Sequence, residues 1–185
     1  MRAVASSIVL AALLTGGVVT AQTATAGDRD PSTLVGRPAP DLDGRMHIGP
    51  RVPSVDDLKG KVVLLFFWAH WCVECKEESA DLSRLVEKYR ARGLALIAPT
   101  QRYGYVAGGR PAPPDKELRY IIQVRDSYFK FLDREPVPVG ESNARAYGAD
   151  LIPLHVLIDR QGIVRFYHAG RMTEQELEEV VRLLL

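Results

Sequence analysis

The chain has 185 residues, with 24 Lys and Arg against 23 Asp and Glu, two cysteines and four histidines. An apolar content of 46% beside 25% charged residues excludes a disordered or fibrous chain and describes one domain of ordinary size. A net charge of +1 gives no reason to expect nucleic acid or acidic membrane as a partner, and two cysteines exclude a multi-disulfide scaffold and a four-thiolate zinc site.

Residues 1–26 have the order of a secretory signal. Arg2 gives a thin positive start, Ile8 to Val19 are apolar or small, and Ala24-Thr25-Ala26 matches an A-x-A cleavage site, with Val19-Thr20-Ala21 as a second option. The run is shorter than the ~18–20 residues that span a bilayer, so an uncleaved anchor is the alternative and membrane contact is expected only in that case. Export is expected either way, to a periplasmic or other extracytoplasmic compartment where disulfides persist. Cleavage at Ala26 would remove Arg2 and leave 23 basic against 23 acidic residues.

Residues 27–61, rich in Gly, Pro and Asp, read as a loosely structured extension with at most short strands. The domain proper is expected over 62–185. Val62–Trp68 is an uninterrupted apolar and aromatic run, as expected of a central strand covered on both faces. A helix is predicted from about Cys72 to Arg92, with Leu82, Leu85, Val86 and Tyr89 on one face and Gly93 closing it. Leu94–Ala98 is a second buried strand. Residues 101–114 form a Gly/Pro-rich loop, read either as a partner-contacting surface or as disordered, and a helix follows over 115–133 with Leu118, Ile121, Ile122, Phe129 and Leu132. Leu154–Ile158 and Ile163–His168 flank a hairpin turn at Asp159–Gly162. Thr173 and Glu176 make a capping box for a last helix carrying Leu177, Val180, Val181 and Leu184. The order β-α-β-α-β-β-α predicts an α/β fold, a mixed sheet with helices packed on it. No internal repeat or linker divides it.

The chemistry falls where the first strand meets the first helix, at Trp71-Cys72-Val73-Glu74-Cys75. Residues i and i+3 of a helical turn share a face, so the two sulfurs can approach within bonding distance. Cys72 at the helix start meets free N–H groups and the positive dipole end, which favour a thiolate. Cys75 lies one turn deeper and can attack a mixed disulfide formed by Cys72, which permits two-electron exchange with a partner's thiols. Half of a zinc site is one competing reading. It needs two more ligands from His47, His70, His155 or His168, none with a second-site spacing. A static disulfide is the other, although so small a loop constrains the unfolded chain little.

The segment FFWAHWCVECKEE resembles the active-site segment of the thioredoxin superfamily, and more closely that of TlpA/ResA-like exported thiol-disulfide oxidoreductases. Upstream, Gly36-Arg37-Pro38-Ala39-Pro40-Asp41 resembles that group's G-x-x-A-P-D, and Asp57-Leu58-Lys59-Gly60-Lys61-Val62-Val63 its D-L-K-G-K-V-V. Downstream, Tyr147-Gly148 through Pro153 resembles its Y-G-V-x-x-x-P. The resemblance implies a thioredoxin-like fold with Cys72 as exposed nucleophile, Cys75 as resolving thiol, and Pro153 as a cis-proline facing them. Ile152 would offer its backbone to the bound partner, and Trp71 would line the site. Glu78 matches the acidic residue of the group's C-x-x-E-x-P and is a candidate proton-handling group near Cys75. The partners so implied are oxidised proteins and a membrane thiol-transfer electron donor. No cofactor is expected beyond the Cys72–Cys75 disulfide, since no nucleotide, flavin or H-E-x-x-H motif is present.

Three departures qualify the resemblance. Glu74 stands where the group has Pro, Phe66 stands where it has a buried carboxylate or Asn, and Ala80 replaces the Pro that kinks the helix. Glu74 beside Cys72 disfavours the thiolate and makes the dithiol a better reductant, whereas a protonated His70 would push the other way. Reduction of partner disulfides is therefore the expected activity. A peroxiredoxin-type peroxidase, and a copper carrier using the cysteine pair with His155 or His168, are the alternatives.

Overall fold

The computed structural model describes residues 31–185, so the proposed signal segment lies outside the described residues. Six elements form the central frame: strands β2 (Val62–Phe67), β3 (Leu94–Ile97), β7 (Leu154–Ile158) and β8 (Val164–Ala169), and the helix pair α1 (Val73–Glu77) and α2 (Ser79–Arg90). Around them lie β1 (His47–Ile48), the hairpin β4 (Tyr105–Val106) and β5 (Arg110–Pro111), α3 (Pro114–Tyr128), β6 (Val137–Pro138), α4 (Glu141–Tyr147) and α5 (Glu174–Leu184). The main sheet has the order β3-β2-β7-β8, with β2 and β3 parallel and the other two pairings antiparallel. This is the mixed α/β sheet expected from the order of elements.

Every residue of β2 is buried, as its unbroken apolar sequence requires. Side chains alternate across the sheet, so Val62, Leu64 and Phe66 join Leu82, Leu85, Val86 and Tyr89 of α2 and Leu177 and Val181 of α5 in one core cluster. Val63, Leu65 and Phe67 enter a second cluster with Leu34, Ala39 and Tyr147. The segment before β2 is thus more than a loose arm, because it covers one face of the sheet. Pro38 bridges Ile163, and Tyr147 Oη donates to the Pro40 carbonyl at 2.5 Å. Buried Asn143 clasps the Asp43 backbone, accepting from its N–H at 2.7 Å and donating to its carbonyl at 3.1 Å.

The hairpin turn is as the sequence predicts: Gly162 N–H donates to the Asp159 carbonyl at 3.0 Å, with Gly162 at φ +83°. The capping box of Thr173 and Glu176 is also formed. Three expectations change. The helix predicted over 115–133 ends at Tyr128 and continues as a short 3₁₀ turn, Lys130–Arg134. The 101–114 loop folds into the β4–β5 hairpin. Lastly, the helix from Cys72 to Arg92 is interrupted at Glu78 although Ala80 replaces the kinking proline. Glu78 is fully buried and its Oε2 accepts from Met172 N–H at 3.0 Å, so a carboxylate anchored outside the helix holds the break.

Candidate active site

Two strands aim the site. Phe67 of β2 pairs with Leu154 of β7, so the chain leaving β2 toward Cys72 and the chain entering β7 through Pro153 lie at the same end of the sheet. The loop after β2 is pinned on both sides of the backbone. Trp68 N–H donates to the Pro99 carbonyl at 3.1 Å, Trp68 Nε1 to the Ala98 carbonyl at 3.1 Å, and Thr100 Oγ1 to the Trp68 carbonyl at 2.8 Å.

Cys72 and Cys75 are joined by a disulfide, with S–S 2.00 Å and Cα atoms 5.4 Å apart. Cys72 is the N-cap of α1, and its Sγ accepts from Cys75 N–H at 3.0 Å. That donor supports negative charge on Cys72 sulfur. Cys72 was expected to be exposed, yet only 3% of its surface is accessible in the disulfide form, against none for Cys75. Its sulfur lies in the core cluster that Ile152 and Tyr103 pack against, and that apolar cover leaves it this small opening. The Ile152–Pro153 peptide is cis. Pro153 is buried with its carbonyl taken by Gly170 N–H at 2.7 Å, while Ile152 is half-buried. Trp71 and Val73 stand exposed beside the disulfide.

His70 is shut away behind this rim. It is 1% exposed, ringed edge-on by Tyr103, Tyr105 and Tyr120 at 5.3–5.6 Å, and its Nε2 lies 3.3 Å from Glu117 Oε1. Burial holds its pKa below the usual histidine range, against the opposing pull of Glu117. A shift in that direction disfavours the cation and so weakens the push His70 can give Cys72 toward the thiolate, and with it the counterweight to Glu74. Glu74 itself is exposed, so its charge acts on Cys72 through solvent. Burial also raises Tyr103, to about 12.

Glu78 and His155 form a second buried pair, both wholly inaccessible, with Oε1 and Nε2 3.2 Å apart. His155 is the cross-strand partner of Phe66, and the two rings lie 5.5 Å apart. The polar position that Phe66 leaves empty on β2 is thus occupied by an ionisable group from β7. Sequence reasoning treated His155 only as a metal candidate. A titratable residue inside the otherwise apolar LHVLI was the available signal. Glu117, Tyr103 and Tyr105 were missed, because an acidic residue in a first helical turn and aromatics in a Gly/Pro loop read as surface features. Among the described residues no three His, Cys, Asp or Glu side chains are placed to hold a metal ion.

A mixed sheet with a cysteine pair at the N-terminus of its first helix and a cis-proline at the adjacent strand defines a thioredoxin-like protein. Residues 35–100 match the AhpC/TSA family. The thioredoxin-like protein YneN of Bacillus subtilis is 30% identical over 148 residues, covering 80% of this chain and 79% of the relative. The thiol-disulfide oxidoreductase ResA of Bacillus thuringiensis is 28% identical over 155 residues, covering 80% and 77%. A crystal structure from Chlorobium tepidum, provisionally named thiol:disulfide interchange protein DsbE, superposes with a TM-score of 0.61 at 25% identity, over 81% of this chain and 96% of the other. The chain belongs to the thioredoxin-like thiol-disulfide oxidoreductases and is a redox enzyme of that class.

Proposed function

We propose that this protein is an exported reductase of protein disulfides. The single observation that carries the reading is the Cys72–Cys75 disulfide at the start of α1, with Cys72 Sγ accepting the Cys75 N–H and the deeper sulfur closed to solvent. In the reduced protein, Cys72 thiolate attacks a partner disulfide and releases one partner thiol. Cys75 then attacks Cys72 Sγ, expels the second partner thiol and regenerates the intramolecular disulfide. Two electrons pass to the partner at each turn, and a membrane dithiol donor restores them. Glu78 handles the proton of Cys75. Trp71, Ile152 and Pro153 form the docking rim, where Ile152 gives its backbone to an extended segment of the partner. Burial disfavours the cationic form of His70, which leaves Glu74 and Lys76 as the charged neighbours of Cys72 in α1, and the Glu74 carboxylate supports the reducing direction. The N-terminal segment supports export, with no helix among the described residues long and apolar enough to cross a membrane.

The test is trapping. Cys75→Ser is expected to accumulate partner proteins in mixed disulfides on Cys72, and Cys72→Ser is not. Equal trapping by both variants would reverse the roles assigned here. The AhpC/TSA match over 35–100 favours a second reading as a peroxidase. It predicts peroxide consumption by the dithiol protein at a rate exceeding its reduction of insulin, and the opposite ranking eliminates it.

A further inference from the structure

We propose that His155 is a positioning residue of the release step, sharing a proton with Glu78 so that the carboxylate can take the proton of the Cys75 thiol. The inference rests on the dithiol–disulfide exchange assigned to the cysteine pair. Cys75 is fully enclosed, so its proton has no direct route to water when the thiol must ionise. Glu78 follows it by three residues in one helical turn and shares its face. Glu78 Oε2 is occupied by Met172 N–H. Its Oε1 has no aligned hydrogen bond, and neither has either ring nitrogen of His155, although Nε2 is only 3.2 Å from Oε1.

Three orphaned polar atoms in one buried site are unusual in a folded protein, where such groups are nearly always bonded. Here a small rotation of the imidazole would align Nε2 with Oε1, and a proton could then rest on either side. Three side chains face His155, and two of them, Glu78 and the exposed cross-strand partner His168, are titratable. Glu78 comes from the α1–α2 junction, apolar Phe66 from β2, and His168 from β8 with ring centres 6.5 Å apart. His70 does not take this part, because its pair with Glu117 is bonded into the hairpin on the other side of the site.

The step balances. The Cys75 S–H proton moves to Glu78 Oε1 and is shared with His155 Nε2. The Cys75 electron pair forms the bond to Cys72 Sγ, and the Cys72–partner bond breaks with its pair leaving on the partner thiolate. The partner is reduced and the cysteine pair oxidised, with no further reactant.

The experiment mixes the dithiol protein with an aromatic disulfide whose released thiolate is coloured, in a stopped-flow instrument. Attack by Cys72 gives the first phase and release by Cys75 the second. His155→Gln is expected to slow the second phase at neutral pH by at least about tenfold, to change its pH profile, and to leave the first phase within about twofold. In parallel, ¹⁵N NMR of wild-type protein at fixed pH is expected to show a change in the protonation or tautomer of His155 between disulfide and dithiol forms. A His155→Gln second phase with the wild-type rate and pH profile would overturn the proposal. Should that variant not fold, an imidazole signal unchanged by redox state overturns it alone. A wild-type protein that shows neither phase refutes the exchange reading itself, which separates the two failures.

Discussion

The disulfide is flanked by two buried carboxylate–histidine pairs that are alike in distance and burial and opposite in bonding. On the hairpin side, Glu117 is saturated: Oε1 accepts from Tyr103 N–H and faces His70, and Oε2 accepts from Gly104 N–H at 2.9 Å. On the sheet side, Glu78 holds one backbone N–H and leaves its second oxygen and both nitrogens of His155 without aligned partners. A saturated buried carboxylate fixes structure, because each of its hydrogen bonds satisfies a donor that would otherwise be stranded. An unsaturated one keeps capacity for a proton. The Glu117 pair ties the β4–β5 hairpin to the loop that carries Cys72, whereas the Glu78 pair sits one turn behind Cys75.

The contrast breaks most decisively on truncation. Glu117→Ala strands two backbone donors and His70, and is expected to destabilise the fold by roughly 3–5 kcal/mol. Glu78→Ala strands one backbone donor and is expected to cost about 1–3 kcal/mol. Urea unfolding of both variants measures the difference, with proteolysis over residues 101–114 rising only in Glu117→Ala. A larger loss for Glu78→Ala would make that pair the structural one.

The second effect is one of pH. The folded-state pKa of His70 is depressed, chiefly by burial, below an unfolded value near 6.5. Between those two values the unfolded chain binds a proton that the folded chain excludes, so stability is complete above about pH 6.5 and falls as pH drops toward the folded value. One such group contributes at most about 1.4 kcal/mol per pH unit. His70→Gln is expected to flatten that part of the stability–pH curve, followed by thermal or urea unfolding from pH 7 downward. A variant with an unchanged slope would show that His70 titrates normally.

Glu74 should matter least. Its carboxylate is exposed, and charge interactions through solvent are worth below about 1 kcal/mol. Glu74→Gln is expected to speed alkylation of Cys72 below neutral pH by less than about fivefold, with an effect that shrinks as salt is added. A change of a hundredfold would place Glu74 among the dominant influences on the thiolate.

Much of this was legible in the sequence because it depends on local pattern. The apolar run Val62–Phe67 dictated a strand buried on both faces. The spacing of Leu82, Leu85, Val86 and Tyr89 dictated the inner face of α2, and Thr173 with Glu176 dictated the start of α5. α4 was not recognised. It is a short helix of seven residues, without a side-chain cap to announce its start, and it is held by the arm through Tyr147 and Asn143. The hairpin within 101–114 was equally hidden, since two-residue strands carry no period and their stability comes from Tyr103 and Glu117 rather than from their own sequence.

By itself, then, the sequence determined that two cysteines form one C-x-x-C at a strand–helix junction, and that Glu78 lies a turn beyond them. Helical spacing is a local constraint that needs no distant partner. Only the tertiary structure decided that Cys72 is almost covered, that His70 is buried behind three tyrosines, and that His155 meets Glu78. Each of these depends on which elements pack together, and the register of β7 against β2 brings His155 opposite Phe66 from almost ninety residues away along the chain.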